Sequence, residues 1–286
     1  MANTTISEHS VAGQLSRPAS LALVLPLVLL LGLAFLLPVA NLLMGSIFTP
    51  APTAEHYLRI AQEPIFLRIL LRTVQTATIV TLLAFLLGYP LALVMSRLSG
   101  RAAMLVAACV LIPLWTSVLV RSYAWIVLLQ RTGIVNNTLL NWGLISQPLK
   151  LIYTEGAVIV AMTHVLMPYM ILPIFSSLRS IAPELDRAAR NLGAGHWTSF
   201  LAVTLPLSLP GVYAGAIMVF ILSLGFYVTP ALVGGPQNLT IATLIGQQTT
   251  DLLNWPFAGA LAGVLLLVTL GLVGVFRRFL RFGKGA

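Results

Sequence analysis

A chain of 286 residues with 58% apolar and only 8% charged side chains cannot cover its surface for water, because a soluble domain carries roughly a quarter charged residues. Its mean hydropathy of +0.97 suits one polytopic membrane domain. The net charge of +9 comes from dispersed rather than clustered basic residues, which argues for an anionic membrane surface and against nucleic acid.

An α-helix crosses the hydrocarbon core with about 20 apolar residues. Six stretches meet that demand, at 20–46, 70–96, 102–129, 156–178, 206–231 and 257–276. The expected fold class is therefore all-α, a polytopic membrane protein with six transmembrane helices. Residues 1–17 are polar, rich in Ser and Thr, and expected to be poorly ordered. The first apolar run begins "LALVLPLVLLLGLAFLLPVA". It is longer than the apolar region of a signal peptide, about 7–15 residues, and lacks an A-x-A boundary, so it reads as a retained span.

Residues 47–69 combine a Pro-rich loop with a short helix, and 131–155 carry turn formers throughout. The third span contains the only cysteine, Cys109, so disulfides and cysteine-rich metal sites are excluded. It reads as a small buried hydrophobe. After span five, Gly-Gly-Pro at 234–236 breaks a helix. Leu239, Ile241, Leu244 and Ile245 then form the apolar stripe of an expected interfacial helix. No repeat at a solenoid period is present.

Basic residues orient the chain. With the N-terminus inside, the inner segments hold ten: Arg17, Arg97, Arg101, Arg179, Arg187, Arg190, Arg277, Arg278, Arg281 and Lys284. The outer segments hold five: Arg59, Arg68, Arg72, Arg131 and Lys150. Both termini are therefore expected in the cytoplasm, together with the segment between spans four and five.

That segment reads "IAPELDRAARNLGAGHWTSF", a short helix with its punctuation intact. Pro183 suits the first turn, where a missing N–H costs nothing. Glu184 and Asp186 complement the positive end of the helix dipole, and Arg190 the negative end. Gly193 is placed to end the helix in a left-handed conformation. A second helical piece follows from about 196, carrying Trp197, Phe200, Leu201 and Val203. A helix this short is marginal alone in water and needs packing or a partner. Ala188 and Ala189 offer a narrow face for a groove, and a packed interhelical loop is the other local reading.

The spacing Ala188–Ala189, three residues, Gly193, nine residues, then Val203, Leu205 and Pro206 resembles the "EAA" loop of permease subunits in binding-protein-dependent ABC importers. Arg187 stands where that family has an acid, with Asp186 one place earlier. The resemblance runs from about residue 68 to 277 and implies the type I importer permease fold. It divides the chain into a cytoplasmic tail at 1–19, a first helix and periplasmic loop at 20–67, the permease domain at 68–277 and a basic cytoplasmic tail at 278–286. It also implies that Glu184, Asp186, Arg187, Ala188, Ala189, Arg190 and Gly193 belong to a coupling helix that enters a cleft of a cytosolic ATPase. The implied partners are a second homologous permease subunit, two ABC ATPase subunits and a periplasmic substrate-binding protein. The implied location is a bacterial inner membrane.

The chain itself has no G-x-x-x-x-G-K-[ST]; "RFGKGA" at the C-terminus lacks the first glycine spacing and the Ser/Thr. No Ser-His-Asp elbow, H-E-x-x-H or carboxylate cluster is present either. No catalytic residue, metal site or cofactor is therefore expected here, with ATP and Mg bound by the partner ATPase subunits.

An ionisable residue at mid-bilayer costs roughly 2.5–3.5 kcal/mol on insertion scales and marks a functional candidate. Apart from Arg72 at the outer end of the second, the spans hold two, Arg121 and His164. In "PLWTSVLVRSYAWIVLL", helical spacing puts Ser117, Arg121 and Trp125 on one face with Trp115 and Tyr123 beside it. These residues line a path, or else Arg121 snorkels to headgroups while the aromatics form an interfacial belt. His164 reads as a hydrogen-bonded packing residue.

"GIVNNTLL", "MPYMILPIFSSL", "VTPALVGGP" and "NWP" resemble the spermidine/putrescine-type permeases. Relatives that carry polyamines place acids near the stretch containing Phe226 and Tyr227, and this chain has none there. A desolvated cation needs acids or aromatic faces. Phe226, Tyr227 and Asp251 complete the path candidates; Asp251 is the only acid beyond the coupling loop, so weight shifts toward an acidic or neutral solute, with a polyamine second. An ion-coupled secondary transporter is the alternative class. It expects intramembrane acids, and no span contains Asp or Glu.

Overall fold

The computed structural model describes residues 17–49 and 51–282. Residues 1–16 of the stretch expected to be poorly ordered and the last residues of the basic tail lie outside them, whereas Arg17 already belongs to the first helix. Helices make up most of the described residues, which contain no strand. Six helical stretches are long and apolar enough to cross a membrane.

Helices α1 (Arg17–Leu31) and α2 (Leu37–Phe48) run together through a π-helical turn at Gly32–Leu36. Helix α3 (Glu55–Gln62) follows in the Pro-rich connection. The central trio is α4 (Pro64–Arg97), α8 (Glu155–Arg179) and α11 (Leu205–Leu224). Its core is made of Val80, Ala84 and Ala92 from α4, Met170 and Ile174 from α8, and Val219 from α11, all fully buried. Lipid gives helices no hydrophobic reason to associate, so close backbone approach must supply the contact energy. At Gly211 a Cβ would lie 2.5 Å from the Pro173 carbonyl oxygen. Tyr89 and Ser208 close the α4–α11 crossing with a buried hydroxyl–hydroxyl bond of 2.9 Å.

The third span differs from expectation. It is two helices, α5 (Gly100–Trp115) and α6 (Val118–Leu129), with extended backbone at Thr116 and Ser117. Pro113 cannot donate to the preceding turn, and the Thr116 hydroxyl instead takes the Pro113 carbonyl at 2.9 Å. The 16 residues of α5 reach only about 24 Å, short of a bilayer core. Trp115 thus lies on a different helix from Arg121, whereas Ser117 at the start of α6 stays in helical register with Arg121, whose N–H donates to its carbonyl at 3.2 Å, and with Trp125. Cys109 is exposed rather than buried, because α5 packs along only one side.

Helix α7 (Ile134–Asn141) lies in the turn-rich connection. There the buried Asn136 donates to the carbonyls of Gln130 and Leu149 and accepts the Leu149 N–H. The expected span at 206–231 ends early, since α11 stops at Leu224 and a π-helical turn forms separately at Pro230–Gly234.

Helices α9 (Pro183–Asn191) and α10 (His196–Ser199) cap one end of the bundle, and α12 (Ile241–Thr250) lies at the other. Helix α12 is not interfacial as expected. Its Ile241 and Leu244 pack against Phe66, Ile69, Phe257 and Leu261, so the stripe faces the bundle. Helix α13 (Trp255–Phe282) returns along α2 and α12.

Candidate coupling loop and solute cleft

At one end, Pro183 occupies the first turn of α9 and Gly193 follows it with φ +88°. That left-handed residue lets the Gly193 and Ala194 N–H groups take the carbonyls of Arg190 and Ala189 at 2.9 and 3.0 Å, which satisfies the helix end. Asp186 organises the hinge. Its carboxylate accepts from the Ser199 hydroxyl at 2.5 Å on α10 and from Arg190 at 3.0 Å on its own helix. The Ser199 bond, with the guanidinium groups of Arg190 and Arg97, holds its carboxyl below the ordinary 3.8 despite some desolvation. The acid displaced by one place still bridges both helices.

Outward from this hinge, Leu185, Ala188 and Leu192 are exposed, and Ala189 is half-buried. Leu192 is 90% and Trp197 77% exposed, an apolar surface that this chain leaves uncovered. Glu184 and Arg187 flank it in solvent. Phe200 leads into a π-helical turn, Phe200–Thr204, that feeds the chain into α11.

At the opposite end, a cleft of about 570 Å³ gathers Ile126, Tyr153, Tyr227, Pro230, Gln247 and Asp251. Its floor is the loop at 230–238, fixed by Arg72 Nη1 donating to the Gln237 carbonyl at 2.5 Å. A buried Ser122–Thr229 hydroxyl bond of 2.9 Å ties the same region to α6. Among the described residues the ion pairs are Arg59–Glu63 and Arg190–Asp186, so Asp251 has no cationic partner there. Its Oδ1 accepts only the neighbouring Thr250 hydroxyl, at 3.0 Å. The sequence reading found no acid near Tyr227, yet the fold returns Asp251 to the same cleft.

The remaining path candidates do not join this cleft. Arg121 is half-buried and donates through Nη1 to the Val165 carbonyl at 3.2 Å, while its Nε is buried without a partner. Val165 lies ten residues, about 15 Å, into α8, so the Arg121 guanidinium is engaged along the side of that helix. Trp125 donates to His164 Nδ1 at 3.4 Å, so His164 is hydrogen-bonded as expected, though on an exposed face. Ser117 and Tyr123 are exposed, Trp115 is 85% exposed, and Phe226 packs against the central core.

Sequence reasoning passed over Ser199, Tyr153 and Gln247. Gln247 carried a signal, sitting four residues before Asp251 on one helix face. Tyr153 carried none, because its partners lie far along the chain; Ser199 lies only 13 residues from Asp186, but no local pattern pairs the two.

Residues 84–280 match the family described as binding-protein-dependent transport system inner membrane component. The spermidine/putrescine transport system permease protein PotB of Escherichia coli is 32% identical over 87% of this chain and 88% of its own length. The protein of the same name from Haemophilus influenzae is 34% identical over 82% of each chain. A bacterial alginate ABC transporter, solved in complex with an alginate pentasaccharide-bound periplasmic protein, superposes with a TM-score of 0.77 at 19% identity, covering 93% of this chain and 94% of that one. Six membrane-length helices, a two-piece loop in the "EAA" position and these matches agree: the chain belongs to the binding-protein-dependent transport system inner membrane components, the permease subunits of ABC importers.

Proposed function

We propose that the chain forms half of an ATP-driven path for an organic cation of the polyamine class, working by alternating access. Asp251 carries this reading: it is an acid without a cationic partner among the described residues, in a cleft with Tyr153, Tyr227 and Gln247. A cation leaving water needs such an acid and aromatic faces. The names of the relatives point to the same solute class, which reverses the sequence-based preference for an acidic or neutral one.

The coupling loop supplies the work. The exposed face of Leu185, Ala188 and Leu192 would enter a groove of a cytosolic ATPase subunit, and the Asp186–Ser199 hinge would pass that movement into α11. A second permease subunit, two ATPase subunits and a periplasmic binding protein complete the assembly, and ATP and Mg reside in the ATPase subunits. The hydrolytic chemistry belongs to those partners. Ion-coupled secondary transport finds no support, since among the described residues the membrane-length helices carry no acid other than Glu155 at the first position of α8.

The test is uptake of labelled spermidine by vesicles containing the complete complex, with and without ATP and the binding protein. Uptake dependent on both is the expected result; uptake driven by an ion gradient alone refutes the proposal. Cysteine tags at residue 190 should label only from the cytoplasm, and tags near 140 and 248 only from outside. Labelling of 190 from outside refutes the coupling role.

A further inference from the structure

Among the described residues, only Tyr153 and Leu253 adopt positive φ without being glycine. At 61°, Tyr153 sits where a bulky L-residue is an outlier, and Gly or Asn would serve at lower cost. The fold holds it there from both sides. Its N–H donates to the Val233 carbonyl at 3.0 Å, and its carbonyl accepts from Asn238 Nδ2 at 3.1 Å. The same Asn238 amide also donates to the Gly234 carbonyl at 2.9 Å. Ile152 before it is buried, and Thr154 after it caps α8 by accepting the Ala157 N–H at 3.2 Å. The chain must turn sharply between these two anchors.

Gly235, itself at φ +68°, makes room for the ring: a Cβ there would lie 3.0 Å from Tyr153 Cβ and 3.2 Å from Cδ1. Packing alone does not account for an aromatic at this position, since Tyr153 remains 50% exposed. It is exposed into the cleft that holds Tyr227, Gln247 and Asp251. Backbone strain of this kind persists where the surroundings over-determine it, and such places cluster at ligand clamps.

We propose that Tyr153 is a specificity-determining residue, held in a strained conformation so that its ring receives the cationic group of the solute beside Asp251. The inference rests on the reading of this cleft as the solute's entry site. It adds that the ring, rather than the hydroxyl, does the selecting, and that stability has been given up to keep it there. An aromatic face attracts a desolvated ammonium through its quadrupole, whereas Asp251 attracts any cation. Together they favour an organic amine over a strongly hydrated inorganic ion.

Tyr153→Phe, Tyr153→Ala and Tyr153→Gly, each in the complete complex in proteoliposomes, test the proposal with labelled spermidine as the probe. Phe should keep KM within about twofold of the original. Ala and Gly should each raise KM about tenfold with little change in the maximal rate. Thermal unfolding should separate the last two: both lose the ring, but Gly relieves the left-handed strain and should melt several degrees above Ala. An unchanged KM in Tyr153→Gly overturns the specificity role while leaving the cleft's cation reading intact. A Gly variant that melts below Ala overturns the strain assignment. Absence of ATP-dependent spermidine uptake in the unaltered complex overturns both the cation reading and the ring's role.

Discussion

The two ends of this molecule are built by opposite strategies. The coupling loop is local: its stop, its hinge and its exposed apolar face all lie between Pro183 and Pro206, and its longest polar contact spans 13 residues. The solute cleft is assembled from afar, with α6, Tyr153, the loop at 230–238 and α12 meeting only after folding. An element that must fit a partner's groove gains from carrying its shape in one piece. A binding cleft between spans gains from drawing its walls on helices that can move apart. Mutations at the first end should therefore sever ATP use from transport, and mutations at the second should alter which solute is carried.

The largest effect is expected at the coupling end, where one residue sets the shape. No side chain crowds Gly193, so the cost of a Cβ there is purely conformational, roughly 1–2 kcal/mol for a left-handed L-residue. Gly193→Val should lower uptake more than tenfold while leaving membrane insertion and the KM for spermidine unchanged. Ala188→Trp, which overfills the exposed face, should behave likewise. Normal uptake by either variant, shown to be inserted, removes the loop from the mechanism and dissolves the comparison.

Next comes the cleft. Asp251→Asn should raise the KM for spermidine about tenfold, equivalent to ~1.4 kcal/mol, with the ratio of ATP hydrolysed to solute carried unchanged. Arg121→Ala should matter less, about twofold or below, because Arg121 lies outside the cleft and its contact is a single carbonyl bond. Steady-state uptake across a concentration series checks both. If Arg121→Ala costs more than Asp251→Asn, the path runs along α6 and α8 and the solute carries an acid.

This contrast also governs what the sequence could reveal. The two-piece loop was legible as local structure because helix punctuation is local: Pro183, Gly193 and the spacing to Pro206 mark its ends without reference to anything else. The hydropathy runs likewise gave the spanning segments apart from the third, where the membrane-length stretch is Val118–Asn141 rather than 102–129. The break at Thr116–Ser117 was hidden inside one continuous apolar run, and only Pro113 hinted at it. Helix α12 was misassigned because an apolar stripe at helical spacing looks the same whether it faces a membrane interface or Phe66 and Phe257. Asp251 was visible as an acid, but its place beside Tyr227 was not, because only the returning helix brings the two to one cleft.

The smallest effect sharpens the comparison through pH. The carboxyl of Asp186 is held below its ordinary 3.8 by the Ser199 hydroxyl first, and by Arg190 and Arg97 after it. A carboxylate whose folded-state value is depressed contributes stability that is fully present above the unfolded value and lost as pH falls through the folded one. The hinge between α9 and α10 should therefore be insensitive to pH from 5 to 8, on the order of the physiological range, and loosen only below the ordinary carboxylate range. Ser199→Ala removes the first cause of the depression, so its loosening should begin at higher pH than in the unaltered chain. Fluorescence of a variant that keeps Trp197 as its only tryptophan reports this, since that exposed ring packs edge-on against Phe200 at 6.0 Å. Superimposable acid transitions with and without the serine would mean that Arg190 alone holds Asp186, and that the two helices are joined by chain connectivity rather than by this carboxylate.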